Sequence, residues 1–245
     1  MRTYAIGDIH GHLDLLIEEH RKIAVDRAEH GGGDAPIVHV GDLVDRGDDS
    51  QGVIEYLRAG VAAEENWVVL KGNHDRLLTR FLDDPTWHDP GLRPEMGYLH
   101  PKIGGGATLG SYGVRAAADR PLRPVYAEAV AAVPADHRAF LDSRPTMYAW
   151  GEAVFVHAGV RPGVALDAQV EQDLVWIRGE FLTDPRDYGV LIVHGHTALD
   201  QATHYGNRLN IDSGAAYGGP LSAVVIEGRK AWLLTESGRV PVPYE

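Results

Sequence analysis

Several short stretches of this chain concentrate the residue types that bind metals and move protons. They are Gly7-Asp8-Ile9-His10-Gly11, Gly41-Asp42-Leu43-Val44-Asp45-Arg46-Gly47, Gly72-Asn73-His74-Asp75, His157-Ala158-Gly159 and His194-Gly195-His196-Thr197. Together they offer carboxylate and amide oxygens and imidazole nitrogens, and no sulfur. That donor set suits Mn²⁺, Fe or Zn²⁺ at five or six coordination. Asp8 and His10 stand two apart, so both can point to one side at a strand end. Asp42 carries two carboxylate oxygens and could bridge two ions, and Asn73, His157 and His196 could complete the second. Two such ions, about 3.5–4 Å apart, can share a hydroxide whose pKa they bring near neutrality, and that hydroxide would be the nucleophile. Phosphate esters are the natural target, because their uncatalysed hydrolysis is among the slowest of reactions. Arg46 can donate paired hydrogen bonds to phosphoryl oxygens. His74, next to Asn73, is placed to protonate the leaving oxygen, with Asp45 to orient it and hold it cationic.

Taken singly, each cluster has a plainer reading as a turn or a packed histidine. Together they ask for an arrangement that gathers distant segments, and the predicted elements supply one. Apolar, β-branched runs predict strands at Thr3–Ile9, Pro36–Val44, Trp67–Lys71, Ala153–His157, Val190–His194, Arg208–Asp212, Ala223–Glu227 and Ala231–Thr235. Each cluster ends one of these runs, and ligands of open α/β sheets bind outside the carboxyl ends of strands. Helices are expected at Leu13 to about Arg27, with Leu13, Leu16, Ile17, Ile23 and Ala24 on one face, and at Ser50–Arg58, Asp75–Leu82, Ala127–Ala131, Ala135–Leu141 and Gln172–Phe181. Strand-then-helix alternation in the first third argues for an α/β layered fold. Residues 83–124, rich in proline and glycine, read as a long irregular excursion that could serve as a lid or a binding edge. Nothing marks an interdomain linker, so one catalytic domain over 1–245 is expected.

Composition narrows the rest. Asp+Glu 35 against Lys+Arg 23 gives a net charge of −12, which disfavours nucleic acid and anionic membranes as partners. Cysteine is absent, excluding disulfides, zinc-thiolate sites and a cysteine nucleophile. No apolar run approaches the ~20 residues of a spanning helix, and no signal peptide is evident, so a cytoplasmic location is expected. His39 and His194 lie inside apolar runs and read as packed residues. Trp87, Tyr98 and Tyr112 of the excursion could touch substrate or form a local core, and Tyr217 could edge the site.

The ordered set GDIHG, GDLVDRG, GNHD, HAG and GHT resembles the calcineurin-like metallophosphoesterase superfamily. Within it, GDLVDRG resembles the phosphoprotein phosphatases, especially their small bacterial and phage serine/threonine members. The likeness runs from Asp8 to Thr197, and Asn210-Ile211-Asp212-Ser213-Gly214 extends it. It implies a β-sandwich of two mixed sheets flanked by helices. It implies one metal held by Asp8, His10 and Asp42, a second held by Asp42, Asn73, His157 and His196, and Mn²⁺ as the first choice of ion. It adds Arg178 to Arg46 as a phosphate-binding arginine and makes His74 with Asp45 the acid and its orienting partner. Ala198 stands where Gly-His-x-His relatives have another histidine, which favours the phosphoprotein phosphatases over phosphodiesterases. Asp75 stands where many relatives have Glu, a difference that weighs neither way, and Lys71 could add positive charge. The leading expectation is hydrolysis of phosphoserine and phosphothreonine in proteins, with phosphotyrosine and small phosphomonoesters also accepted. Symmetrical cleavage of diadenosine tetraphosphate or another nucleotide is the alternative, for which Trp87 and Arg93 offer a base platform and charge. A polynucleotide-end phosphatase and a non-catalytic metal-binding protein rank lower.

Overall fold

The structure is a computed structural model that describes residues 1–245. Two mixed sheets face one another. The first contains β1 (Arg2–Ile6), β2 (Ile37–His39), β3 (Trp67–Val69), β9 (Ala223–Glu227), β10 (Lys230–Thr235) and β11 (Gly238–Pro241), in the order β11-β10-β9-β1-β2-β3. The second contains β4 (Met147–Trp150), β5 (Ala153–Val156), β6 (Leu191–His194), β7 (Thr203–His204) and β8 (Arg208–Asn210), in the order β4-β5-β6-β8-β7. This is the expected layered sandwich.

Side-chain alternation explains how each sheet buries both faces. In β1, Tyr4 and Ile6 join the core beneath the helices, while Ala5 turns into the core between the sheets. In β5, Ala153 and Phe155 fill the intersheet core. Val154 and Val156 pack outward against Leu174, Ile177 and Phe181. The first sheet is covered by α1 (Leu13–His30), α2 (Ser50–Ala62), α3 (Asn73–Asp83), α4 (Gly105–Ser111), α5 (Leu122–Ala132) and α6 (Ala135–Asp142), and the second by α7 (Glu171–Trp176) and α8 (Gly179–Leu182).

Strand direction is what gathers the chemistry. β1, β2 and β3 are parallel, as are β5, β6 and β8. The segments that leave these six strand ends carry Asp8 and His10, then Asp42 to Arg46, Asn73 and His74, His157, His196, and Asp212.

The structure departs from the sequence expectation in specific places. The buried face of α1 is Leu16, Glu19, Ile23 and Asp26, and Ile17 is exposed. The acids Glu19 and Asp26 can lie there because they are satisfied: Glu19 accepts from Lys22 and the Ala223 amide, and Asp26 from Tyr4 and Arg239. The run Pro36–Val44 is strand only over Ile37–His39, because Gly41 and Asp42 turn the chain with positive φ. The helix read over Gln172–Phe181 breaks at Ile177–Arg178, where Arg178 has φ −136° and ψ −98°. Helix α5 begins at Leu122, earlier than read. The excursion is not irregular throughout: it contains α4, and it lodges Tyr98, Ile103, Leu109 and Val114 in the main core. Strands β4, β7 and β11 sit at sheet edges and were not foreseen. No helix is long and apolar enough to cross a membrane.

Phe155 is fully buried between the sheets. Phe155→Ala should cost about 3–5 kcal/mol of unfolding free energy, measured as a lower midpoint in urea.

Candidate active site

Asp42 is the hub. It follows β2 in a left-handed conformation, φ 51°. Its Oδ1 accepts from the His74 amide at 2.9 Å and lies 3.3 Å from His157 Nε2. Its Oδ2 lies 3.4 Å from His10 Nε2 and 3.9 Å from His74 Nε2. Two metal-competent groups therefore share this residue: His10, Asp42 and His74 on one side, and Asp42, His157 and His196 on the other. Asn73 Oδ1 joins the second at 2.9 Å from His157 Nε2. Asp8 lies beside them, its Oδ2 accepting from the His196 amide at 3.0 Å.

Two histidines have their tautomers set from behind. His10 donates Nδ1–H to Val44 O at 2.8 Å, and His157 donates Nδ1–H to Val40 O at 3.0 Å. Each Nε2 is thereby turned inward, the arrangement in which imidazole ligates a metal. His196 turns Nδ1 to within 3.2 Å of His157 Nε2, while its Nε2 accepts from Arg178 Nε at 2.9 Å.

Backbone strain accompanies this convergence. The non-glycine residues with positive φ are His10, Asp42, Asp45, Arg46, Glu64, Ala116 and His196, and five of these seven belong to the site. Such conformations cost on the order of 1–3 kcal/mol each and persist where the surroundings over-determine them. Asp75 is one of those determinants: its carboxylate accepts the amides of Asp42, Leu43 and Gly72 at 2.7–3.0 Å, pinning one loop to the next. Close approach needs glycine too. A Cβ on Gly72 would overlap Asp42 Oδ1, and one on Gly195 would overlap Asp8 Oδ1.

The electrostatics fit cations. Burial and the neighbouring Asp212 and Asp42 push the Asp8 carboxyl well above its ordinary range. Burial likewise raises Asp212, and raises Asp75 to about 6 with help from Asp42. Burial opposes charge on His157 as well, yet Asp42 and Asp8 pull its pKa up to about 9. A proton on His157 thus occupies the position a cation would neutralise. Asp8 Oδ1 is buried without a hydrogen-bond partner, an acceptor left free for such a cation. Burial holds His10 and His196 well below the usual imidazole range, so they stay neutral and able to ligate.

On the open side lie a carboxylate-backed imidazole and a guanidinium. His74 donates Nδ1–H to Asp45 Oδ2 at 2.7 Å. Arg46 directs one Nη to His10 Nε2 at 2.9 Å and the other to His74 Nε2 at 3.0 Å. The cleft above measures about 340 Å³ and is lined by Asp8, Asp42, Arg46, Asn73, His74, Arg178, His196 and Asp212, with an outer wall from the excursion.

Every sequence-predicted site residue reaches this region: Asp8, His10, Asp42, Asp45, Arg46, Asn73, His74, His157, Arg178 and His196. His74 lies close enough to group with His10 and Asp42, and Asp8 stands apart from that trio. Lys71 does not contribute; its Nζ donates to Asp142 O at the end of α6. Trp87 does not line the cleft and lies beside Arg80. Tyr98 and Tyr112 are framework: Tyr98 donates to Asp45 Oδ1 at 2.9 Å, and Tyr112 pairs with His137. His39 and His194 are fully buried away from the cleft. Tyr217 does edge the site, its ring 5.1 Å from the Arg46 guanidinium. Sequence reading missed Asp212 as an acid of the site, although it ends a predicted strand. The run Gly104–Leu109 resembles a stretch that lies near the site mouth in bacterial relatives, but sequence reading gave no role to Thr108 within it, which donates to Asp45 Oδ1 at 2.7 Å, nor to Trp176, whose ring lies edge-on to His196.

A family model described as calcineurin-like phosphoesterase matches residues 1–225. Serine/threonine-protein phosphatase 1 of Salmonella typhimurium is 34% identical over 76 residues, a match spanning 31% of this chain and 30% of that protein. A solved candidate diadenosine tetraphosphatase aligns with TM-score 0.62 at 22% identity, covering 98% of this chain and 93% of its own. A cold-active protein-tyrosine phosphatase of a Shewanella species aligns with TM-score 0.64 at 17% identity, covering 98% and 80%. At those identities the structural likenesses speak for the fold.

Protons and cations compete for the same atoms. Asp8 and His157 both have raised pKa values and must lose their protons to ligate. Falling pH therefore favours the protonated, non-ligating forms. Apparent Mn²⁺ affinity should rise between pH 6 and pH 8 by about tenfold per pH unit for each proton displaced, read by titration calorimetry in buffers of different ionisation enthalpy.

Proposed function

Because the chain belongs to the calcineurin-like phosphoesterase family, we propose that it is a phosphoprotein phosphatase of the serine/threonine type, working as one catalytic unit on phosphomonoesters. The observation that carries this reading is the shared Asp42 between two donor groups, beneath a guanidinium and a carboxylate-backed imidazole. The partial match to a bacterial serine/threonine phosphatase supports the substrate class.

Asp8, His10 and Asp42 would hold one divalent cation, and Asp42, Asn73, His157 and His196 the other, with Mn²⁺ the ion of choice for a set of oxygen and imidazole donors. Bound there, the pair supplies charge neutralisation and lowers the pKa of water.

The chain's own residues do the rest. Arg46 and Arg178 both line the cleft, one from the loop after β2 and the other from the break between α7 and α8. Each guanidinium can donate to phosphoryl oxygens, orienting the ester and offsetting charge as the bond to the leaving oxygen lengthens. When Arg46 turns to an incoming phosphoryl oxygen, its hydrogen bond to His74 Nε2 is released. His74 Nε2 can then carry the proton that the leaving serine or threonine oxygen needs. Asp45 holds the ring in place and stabilises its charged form, and Tyr98 and Thr108 fix Asp45 in turn.

Phosphoserine and phosphothreonine peptides should be hydrolysed with Mn²⁺ present, followed by phosphate release. Intact phosphopeptides alongside rapid cleavage of nucleotides, diadenosine tetraphosphate included, would sink the proposal. His74→Asn should lower kcat by ~10²–10⁴ while Mn²⁺ still binds, checked by pairing steady-state assays with metal analysis.

A further inference from the structure

The cleft contains more positive charge than one phosphoryl group uses. Besides Arg46 and Arg178, its outer wall presents Arg93 and Lys102, both from the excursion. Neither side chain has a carboxylate partner or any other hydrogen-bond acceptor in the structure. Elsewhere the basic residues are mostly spent: Arg2, Arg21, Lys22, Arg58, Arg76, Arg120, Arg138, Arg161, Arg186, Arg229 and Arg239 all pair with acids. In a chain of net charge −12, and above a cleft floor that carries Asp8, Asp42 and Asp212, these unpaired cations make the outer wall a local reversal of sign.

The wall that presents them is held firmly. Arg76, buried on α3, donates to Asp89 Oδ2 through Nε and Nη2 at 3.0 and 2.7 Å, and Asp89 is fully buried. The other oxygen of Asp89 accepts the Gly91 amide at 2.8 Å. Arg76 also donates to Gln172 on α7 at 2.9 Å, tying the wall to the helix that ends at Trp176. The Arg93 carbonyl accepts from His88 Nε2 and from the Met96 amide at 3.0 and 2.9 Å. The backbone beneath Arg93 is thus fixed before substrate arrives, which lowers the entropy lost on binding.

We propose that Arg93 and Lys102 form an anion subsite for a second negative group on the substrate, an acidic or phosphorylated side chain beside the scissile phosphoresidue. This rests on the phosphoprotein reading above and narrows it to acidic phosphopeptides. A peptide fits better than a nucleotide because, of the two bordering aromatics, Trp176 is packed and only Tyr217 leaves a ring face open. The Trp176 ring lies so close to Gly91 that a Cβ there would overlap it, and the Tyr217 ring lies over Arg46. Arg46 covers one face of the Tyr217 ring, which is otherwise 70 % exposed, so a base stacked there is the competing outcome that the test separates.

The test compares kcat/KM, with Mn²⁺, for matched phosphoserine peptides flanked by glutamate or by alanine. The native protein should prefer the acidic peptide roughly tenfold at low ionic strength, through KM, with the preference shrinking as salt rises. The double substitution R93A/K102A should bring the ratio near one, and R93K/K102R should restore it. The ratio is internal to each variant, so a change in folded fraction cancels. Equal hydrolysis of both peptides by the native protein, or an acidic preference that survives R93A/K102A, overturns the subsite and leaves the phosphatase reading standing. Cleavage of nucleoside polyphosphates with both phosphopeptides intact overturns the two together.

Discussion

Burying several carboxylates among imidazoles is unfavourable unless positive charge arrives with them, and the rest of the molecule is arranged around that constraint. Asp8, Asp42, Asp75 and Asp212 lie within one buried region. Three of them are pushed toward protonation by burial or by one another, and only Asp42 is held low, by surrounding histidines that offset its burial. Isolated buried anions would cost several kcal/mol each. Asp75 meets the cost with three backbone amides. Asp8 has an oxygen with no protein partner and is satisfied only by something outside the chain. The family's use of divalent cations answers that electrostatic demand.

Much of this was legible in the sequence, and for a physical reason. Ligand types at strand ends are local signals, and parallel strands bring distant ends to one edge. Asp8, His10, Asp42, Asn73, His157 and His196 could therefore be named together before any coordinates. The layered α/β class followed from the alternation of strands and helices, and the sandwich from the resemblance. What stayed hidden depends on contacts that no local pattern encodes. Thr108 and Tyr98 approach Asp45 from about 60 and 50 residues away, inside a segment whose prolines and glycines read as irregular. Asp212 ends a strand like the others but lacks an adjacent histidine to mark it. The break at Arg178 interrupts a run whose periodicity reads as one helix. The stripe on α1 misled because satisfied acids took core positions that an apolar count gives to Ile17 and Ala24.

The two sheets divide the labour. The first sheet, through the loops after β1, β2 and β3, carries the hydrogen-bonded His74–Asp45 pair and most of the oxygen donors. The second, through β5 and β6, brings the two histidines that close the other side, and the α7–α8 break brings Arg178. Neither sheet holds a complete set of groups. The apolar packing of Phe155, Val193, Ile211 and their neighbours between the sheets is thus also what fixes the distance between the two halves of the chemistry.

The excursion that lines the cleft is anchored at both ends of its purpose. Through Tyr98 and Thr108 it supports the carboxylate behind the His74 imidazole, and through Asp89 it is bolted to Arg76. A segment wired in this way is not an interchangeable cassette. Grafting a foreign loop in its place would disturb the support of the His74–Asp45 pair together with the wall of the cleft, so the segment can change at little cost only at outward-facing positions such as Arg93, one side chain at a time.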